Sequence, residues 1–180
     1  MPKILPSRET AALFKNRLVR ATLLDSDVYR ELADDTRAVY QAALAVALAS
    51  LAGVAGHFTW PYIPFSLPDF LGEYTGWMLW AGMTYTVAVL VPVRGKREVG
   101  FTTFFRSVGF AASPGMLAVF APIPGLNGVV YLVAYVWMLA AMIAAVRVVF
   151  GFDRVYLAAV VCVPGFPVKV LITAFMTMHF

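Results

Sequence analysis

The sequence predicts an all-α, polytopic membrane protein: a bundle of five transmembrane helices with a cytoplasmic N-terminus and a short amphipathic N-terminal arm. Three observations carry this. Of 180 residues, 61% are hydrophobic and only 13% charged, where soluble domains are nearer half apolar and a quarter charged. Five apolar stretches are each long enough to cross about 30 Å of hydrocarbon as a helix. The basic residues fall on alternate connections, as they do when one side of a membrane is cytoplasmic.

The arm, residues 1–37, holds about half of the charges, with Lys3, Arg8, Lys15, Arg17, Arg20, Arg30 and Arg37 set against six acids. These charges precede any apolar run, so no signal peptide is expected. Ser7 or Thr10 can cap a helix through Leu24, because a side-chain oxygen satisfies a free N–H at a helix start. On that helix Phe14, Leu18 and Ala21 share one side while Asn16, Arg17 and Arg20 share the other, which suits a helix in the headgroup layer. Leu13 and Leu24 fall on the polar side. Asp25-Ser26-Asp27 reads as a break and a new cap for a second short helix through Leu32. Asp35 or Thr36 is placed to cap the first span.

The membrane domain, residues 38–180, is read as spans at about 38–56, 74–93, 101–121, 126–150 and 155–178. Closed barrels use alternating strands of about ten residues, and these runs are too long and too uniformly apolar for that. In the fifth, Val163-Pro164-Gly165-Phe166-Pro167 is expected to kink or break the helix. The first and third connections carry no Lys or Arg. The arm and the other two connections hold, with Arg106 just beyond the second, every Lys and Arg but Lys169 of the 14 in the chain. That side is expected to be cytoplasmic, with Phe180 on the other. Trp60, Tyr62, Tyr74, Trp77 and Trp80 gather at the outer edge of the first two spans, where aromatic rings anchor at interfaces.

Lys169 is the one ionisable residue well inside an apolar run, and intramembrane charges point by default to function. It lies about 22 Å beyond Arg154 along a straight helix. At that depth it can snorkel outward or form an intramembrane ion pair with Glu73 or Asp69. Small residues recur every four positions at Ala45, Ala49 and Gly53, at Gly72 and Gly76, at Gly109 and Ser113, at Ala140 and Ala144, and at Ala141 and Ala145. In lipid such faces let helices approach closely, either within the bundle or against another protein.

Other chemistry finds little footing. Cys162 is the single cysteine, so neither a disulfide framework nor a cysteine-rich metal site is expected. His57 and His179 lack clustered partners for a metal. Ser113, in Ala112-Ser113-Pro114-Gly115, does not match the elbow that presents a nucleophilic serine. No glycine cluster matches a phosphate loop. No catalytic residue, cofactor or nucleic-acid partner is expected.

The stretch Phe105-Arg106-Ser107-Val108-Gly109-Phe110-Ala111, then Pro114-Gly115, then Ile123-Pro124-Gly125-Leu126, resembles the signature of the Yip-domain family in its bacterial branch. Val136-Trp137-Met138-Leu139-Ala140, Met142 to Arg147, Leu24 to Glu31, and Trp80 to Tyr85 continue the resemblance, which covers roughly Leu18 to Cys162. It implies a five-span bundle with a cytoplasmic N-terminus in a bacterial cytoplasmic membrane. The Asp-Leu-Tyr-Gly-Pro segment of eukaryotic members, which bind Rab-type GTPases, is not found, so GTPase binding is not carried over. Pro164, Pro167 and Lys169 depart from the branch. The expected function is a non-enzymatic scaffold or accessory subunit that docks other membrane protein subunits, or itself, or organises membrane lipid. The alternative is a small transporter or channel with Lys169 near its path.

Overall fold

The computed structural model describes residues 8–56, 66–93 and 95–179. Among them the chain is all-helical: α1 (Arg8–Thr22), α2 (Ser26–Asp34), α3 (Ala38–Ala55), α4 (Leu67–Leu90) and α5 (Phe101–Val108) come first. A 3-10 helix, Gly109–Phe120, continues α5, and α6 (Asn127–Phe150) follows. A 3-10 turn, Val163–Gly165, then joins α7 (Val155–Cys162) to α8 (Phe166–His179). Three helical runs are long and apolar enough to cross a membrane: Ala38–Ala55, Asn127–Phe150 and Val155–Phe175. The expected anchors Trp60 and Tyr62, together with Ser7, His57 and Phe180, lie outside the described residues, as does the side chain of His179.

Small residues line the closest helix contacts, and many large apolar residues face outward. The buried face of α3 combines Ala38, Ala42, Ala45, Ala49 and Gly53 with Val46, Ser50 and Val54, while Tyr40, Leu44 and Leu51 are exposed. On α6, Ala134, Ala141 and Ala145 are buried beside Met138, Met142, Val146, Val149 and Phe150, while Val129, Leu132, Val133 and Val136 face outward. In water this would leave a large apolar exterior uncovered, which soluble monomers avoid. With hydrocarbon as solvent, close backbone contact through small residues is what holds helices together.

The third apolar stretch shows how close that contact is. Its second half winds as a 12-residue 3-10 helix with Pro114 inside, far beyond the usual three or four residues for this tighter winding. Pro114 cannot donate to a helical ladder, and the narrow segment lies between α3 and α6. A Cβ added to Gly109 would stand 2.6 Å from the Ala42 Cβ, and one on Gly115 2.8 Å from the Met138 sulfur. The expected packing residues Ala45, Ala49, Gly53, Gly109 and Ser113 are therefore spent inside the protein, all of them buried. Gly76 is spent likewise, its Cα facing the Lys169 carbonyl. Ala140 and Ala144 are not: both remain half-exposed on the flank of α6.

The proline-rich break in the last helical run is narrow. Phe166 N–H bonds back to Val163 O in a 3-10 turn, so the Cys162 carbonyl lacks its usual helical donor. The Trp80 indole fills the gap, donating to Cys162 O at 2.9 Å. Gly165 permits this approach, since a Cβ there would meet the Trp80 ring at 2.7 Å. Trp77 and Trp80 are 1% and 0% exposed; they are core residues that close helix contacts, not interface anchors. Trp80→Phe is expected to cost about 1 kcal/mol. It should also speed amide exchange across residues 162–169, measured by hydrogen-exchange mass spectrometry; unchanged exchange there would refute the role.

The arm packs onto the bundle rather than lying apart from it. Ala21, Val28, Tyr29 and Leu32 belong to the same buried core as residues of α3 to α7. The Thr22 hydroxyl hydrogen-bonds Ser113 Oγ at 2.9 Å, Trp137 Nε1 donates to Thr22 O at 2.8 Å, and Ser107 Oγ donates to Tyr29 O at 2.7 Å. Arg17, expected on the polar side, is only 4% exposed. It pairs with Glu31 at 2.9 Å and Asp35 at 2.8 Å and donates to Gln41 Oε1 at 2.8 Å. The cap on α2 is as expected, Asp25 accepting from Asp27 N–H at 2.9 Å. Asp35 accepts from Arg37 N–H at 2.9 Å just before α3.

Candidate functional site

A buried polar centre lies at one end of the bundle, where α3, α4, α6 and α8 meet. Its first component begins with the start of α4. The sequence placed this helix from residue 74, leaving Glu73 in a connection. The helix in fact begins at Leu67, because Ser66 accepts from Asp69 N–H at 3.3 Å and Pro68 sits in the first turn, both favourable at a helix start. Glu73 is thereby carried a further turn into the helix, onto its buried face.

Lys169 on α8 meets it there. The ammonium donates to Glu73 Oε2 at 2.9 Å, with side-chain exposures of 1% and 8%. Tyr135 on α6 completes the centre. Its hydroxyl donates to Glu73 Oε1 at 3.2 Å, and its ring lies under the Lys169 ammonium, 4.5 Å from the nitrogen. One turn back, Tyr131 donates to Gly53 O at 2.8 Å. Of the two expected partners, Lys169 takes Glu73. Asp69 lies one turn earlier in α4, with Oδ1 buried and making no hydrogen bond.

The centre borders a small cavity of about 20 Å³, also lined by Ser50, Trp77 and Met138. That volume holds one water molecule at most a little more. The ammonium is satisfied by a carboxylate and an aromatic face, a geometry that strengthens as water is excluded. The described residues contain no cluster of three or more His, Cys, Asp or Glu.

Sequence reasoning selected Lys169 and Glu73 but missed Tyr135, although Tyr131 and Tyr135 stand four apart, one above the other on a helix that is otherwise apolar. It also missed two other buried cations, Arg17 in the arm and Arg106. Arg106, counted with the basic connections, is 8% exposed, and its Nη2 donates to Thr103 Oγ1 at 2.6 Å. At the opposite end of the bundle from the ion pair, Lys96 donates to the carbonyls of Ala88, Val89 and Val91, at 2.9, 2.7 and 2.9 Å. A cation there suits the negative end of a helix.

Two carboxylates of the arm, Asp25 and Asp35, are electrostatically tuned. Hydrogen bonds from the Arg20 guanidinium and the Asp27 amide hold the Asp25 carboxyl below its ordinary range. For Asp35, burial pushes upward, but the Arg37 amide and the Arg17 guanidinium outweigh it and the net shift is downward. Such groups stabilise the pairing of α1 with α2 fully above their free value near 3.8, and that contribution is lost as pH falls through the lower values in the folded arm. The arm is thus expected to keep its α1–α2 pairing from neutral pH to about 4 and to loosen below it. Amide exchange in residues 9–34 at a series of acid pH values would measure this, and acid-insensitive exchange would contradict it.

Fold and centre together define an all-helical protein with three candidate membrane-spanning helices and a buried, internally satisfied ion pair. No family model matches the chain, and neither a curated protein nor a solved structure matches it.

Proposed function

We propose that the chain is a five-span integral membrane protein that acts by binding, not by catalysis, as a scaffold or accessory subunit for neighbouring membrane components. The observation that carries this reading is the apolar exterior of the long helices, with Tyr40, Leu44, Leu90, Leu132, Val136 and Leu171 exposed while small residues line close helix contacts such as Gly109 against Ala42, which suits hydrocarbon as the surrounding solvent. Two further spans are assigned to α4, which has the length but carries Asp69, Glu73 and several threonines, and to α5 with its 3-10 continuation. Basic residues gather where α3 begins and α4 and α6 end, so that end is read as cytoplasmic.

The Yip-like reading rests on the motif residues of the third stretch. Several of these carry close packing in the structure: Arg106 and Ser107 are buried, and Gly109 lies against Ala42. Gly125 turns the following connection at φ +80. A transporter would need Lys169 to face a path, whereas its ammonium is held between Glu73 and Tyr135 beside a cavity of about 20 Å³. That favours a structural ion pair over a conduit.

Topology tests the reading directly. Single cysteines introduced at Asp153 and Asn127, in a Cys162→Ser background, should label from opposite faces of sealed vesicles, and alkaline washing should leave the protein in the membrane. Labelling from one face, or extraction by alkali, would overturn it.

A further inference from the structure

The flank of α6 left free by the bundle carries two hollows, and both are walled by α6 and the corner between α1 and α2. The first is an apolar slot of about 500 Å³, lined by Leu24, Leu132, Val133, Val136, Trp137 and Ala140. The second, of about 390 Å³, lies at the C-terminal end of α6 and presents Arg30, Arg97 and Arg147 with Ser26 and Asp153.

On a helix of 3.6 residues per turn, Val133, Ala140, Ala144 and Gly151 fall in one stripe, with Trp137 and Arg147 beside it. The slot and the basic hollow therefore follow one another along a single side of α6. Val133 and Arg147 are about 21 Å apart along the axis, the scale of one leaflet's hydrocarbon depth plus its headgroup layer.

The charges in the basic hollow are free to act outward. Arg97 and Arg147 form no ion pair with a described residue. Arg30 makes only an exposed contact with Asp27 at 3.2 Å. Three guanidinium groups and one carboxylate, Asp153, line the hollow, and with Asp27 beside Arg30 the three cations still outnumber the two nearest carboxylates. The nearby Asp25 is turned away, paired with Arg20 at 2.7 Å. Arg97 is held in place by its backbone, whose N–H bonds Phe150 O at 2.9 Å, and its side chain lies over Gly151, where a Cβ would come within 3.4 Å of it.

The corner itself is built at a cost. α1 ends with Asp25 N–H bonded to Arg20 O at 3.0 Å, and the intervening Leu24 has φ 61, the left-handed conformation. Glycine is the usual residue in that position because a side chain there is strained by about 1–2 kcal/mol. The leucine instead contributes a wall of the slot.

The geometry points to a binding site for one anionic phospholipid, its phosphate in the Arg30–Arg97–Arg147 hollow and an acyl chain in the Leu24–Trp137 slot. The inference rests on the membrane reading above. Charge complementarity selects an anionic headgroup over a zwitterionic one, and the apolar slot selects a lipid over free phosphate. The occupied site would tie the arm to α6 through the lipid.

The full-length protein should be reconstituted in nanodiscs of mixed phosphatidylglycerol and phosphatidylcholine, and the lipid retained after transfer to mild detergent quantified by mass spectrometry. Enrichment of phosphatidylglycerol is expected. It should fall roughly fivefold for each of Arg97→Gln and Arg147→Gln, in line with about 1 kcal/mol per basic residue near an anionic surface, and be largely kept by Arg147→Lys. Leu24→Gly should reduce retention while leaving thermal stability equal or higher, a separation that a purely structural leucine would not show. Inorganic phosphate should not displace the lipid. Equal retention of both lipids, enrichment indifferent to the arginines, or displacement by phosphate would each overturn the inference. A protein that never stays in the bilayer would instead overturn the membrane reading.

Discussion

Replacing Lys169 with methionine is expected to destabilise the protein by about 3–5 kcal/mol, the usual cost of leaving one member of a buried ion pair alone. Glu73 would keep one hydrogen bond, from Tyr135, but its charge would have no counter-ion in a place where water is nearly absent. The double variant Lys169→Met with Glu73→Gln should recover most of the loss, because the neutral amide still accepts from Tyr135 and no charge remains to be solvated. Thermal unfolding in detergent measures both, with a fall on the order of 10 °C for the single variant. A single variant as stable as the parent would show that the pair contributes nothing to the fold.

The second large effect is expected at Gly109. Alanine there must place its Cβ where Ala42 already stands, 2.6 Å from that residue's Cβ and 3.0 Å from its Cα. Neither neighbour can rotate away, since a methyl group and backbone have no rotamers to offer. α3 and the 3-10 helix must separate, at a cost of about 1–3 kcal/mol for overpacking. Ala42→Gly in the same chain should restore stability, and Gly128→Ala, where a Cβ meets nothing within 4 Å, is the control. Equal unfolding temperatures for Gly109→Ala and the parent would refute close packing as the reason for this glycine.

The two sites differ in how far sequence could reach them. Gly109 and Ser113 were visible as small residues four apart, yet spacing does not say which neighbour they meet. The structure spends them inward, against Ala42 and Thr22. Ala140 and Ala144 show the same spacing, but α6 turns them toward the flank. Trp77 and Trp80 were placed at an interface because aromatic rings near a span's end often lie there; the packing of α4 against its neighbours instead turns both into the core. Extending α4 back to Leu67 decided between Glu73 and Asp69, since only the residue one turn deeper comes within reach of Lys169.

Composition and periodicity by themselves determined that this chain is helical, that its long apolar runs suit a membrane, and where most helices end. Those properties are local: they depend on hydropathy, on caps such as Asp25, and on breakers such as Pro164. What only the tertiary structure decided is which polar groups find one another. Lys169 and Glu73 are 96 residues apart, Trp80 and Cys162 are 82 apart, and Arg17 is drawn into the interior by acids on the next helix. In a low-dielectric interior each such group must be satisfied by whatever the fold brings near it, and no local pattern records that encounter.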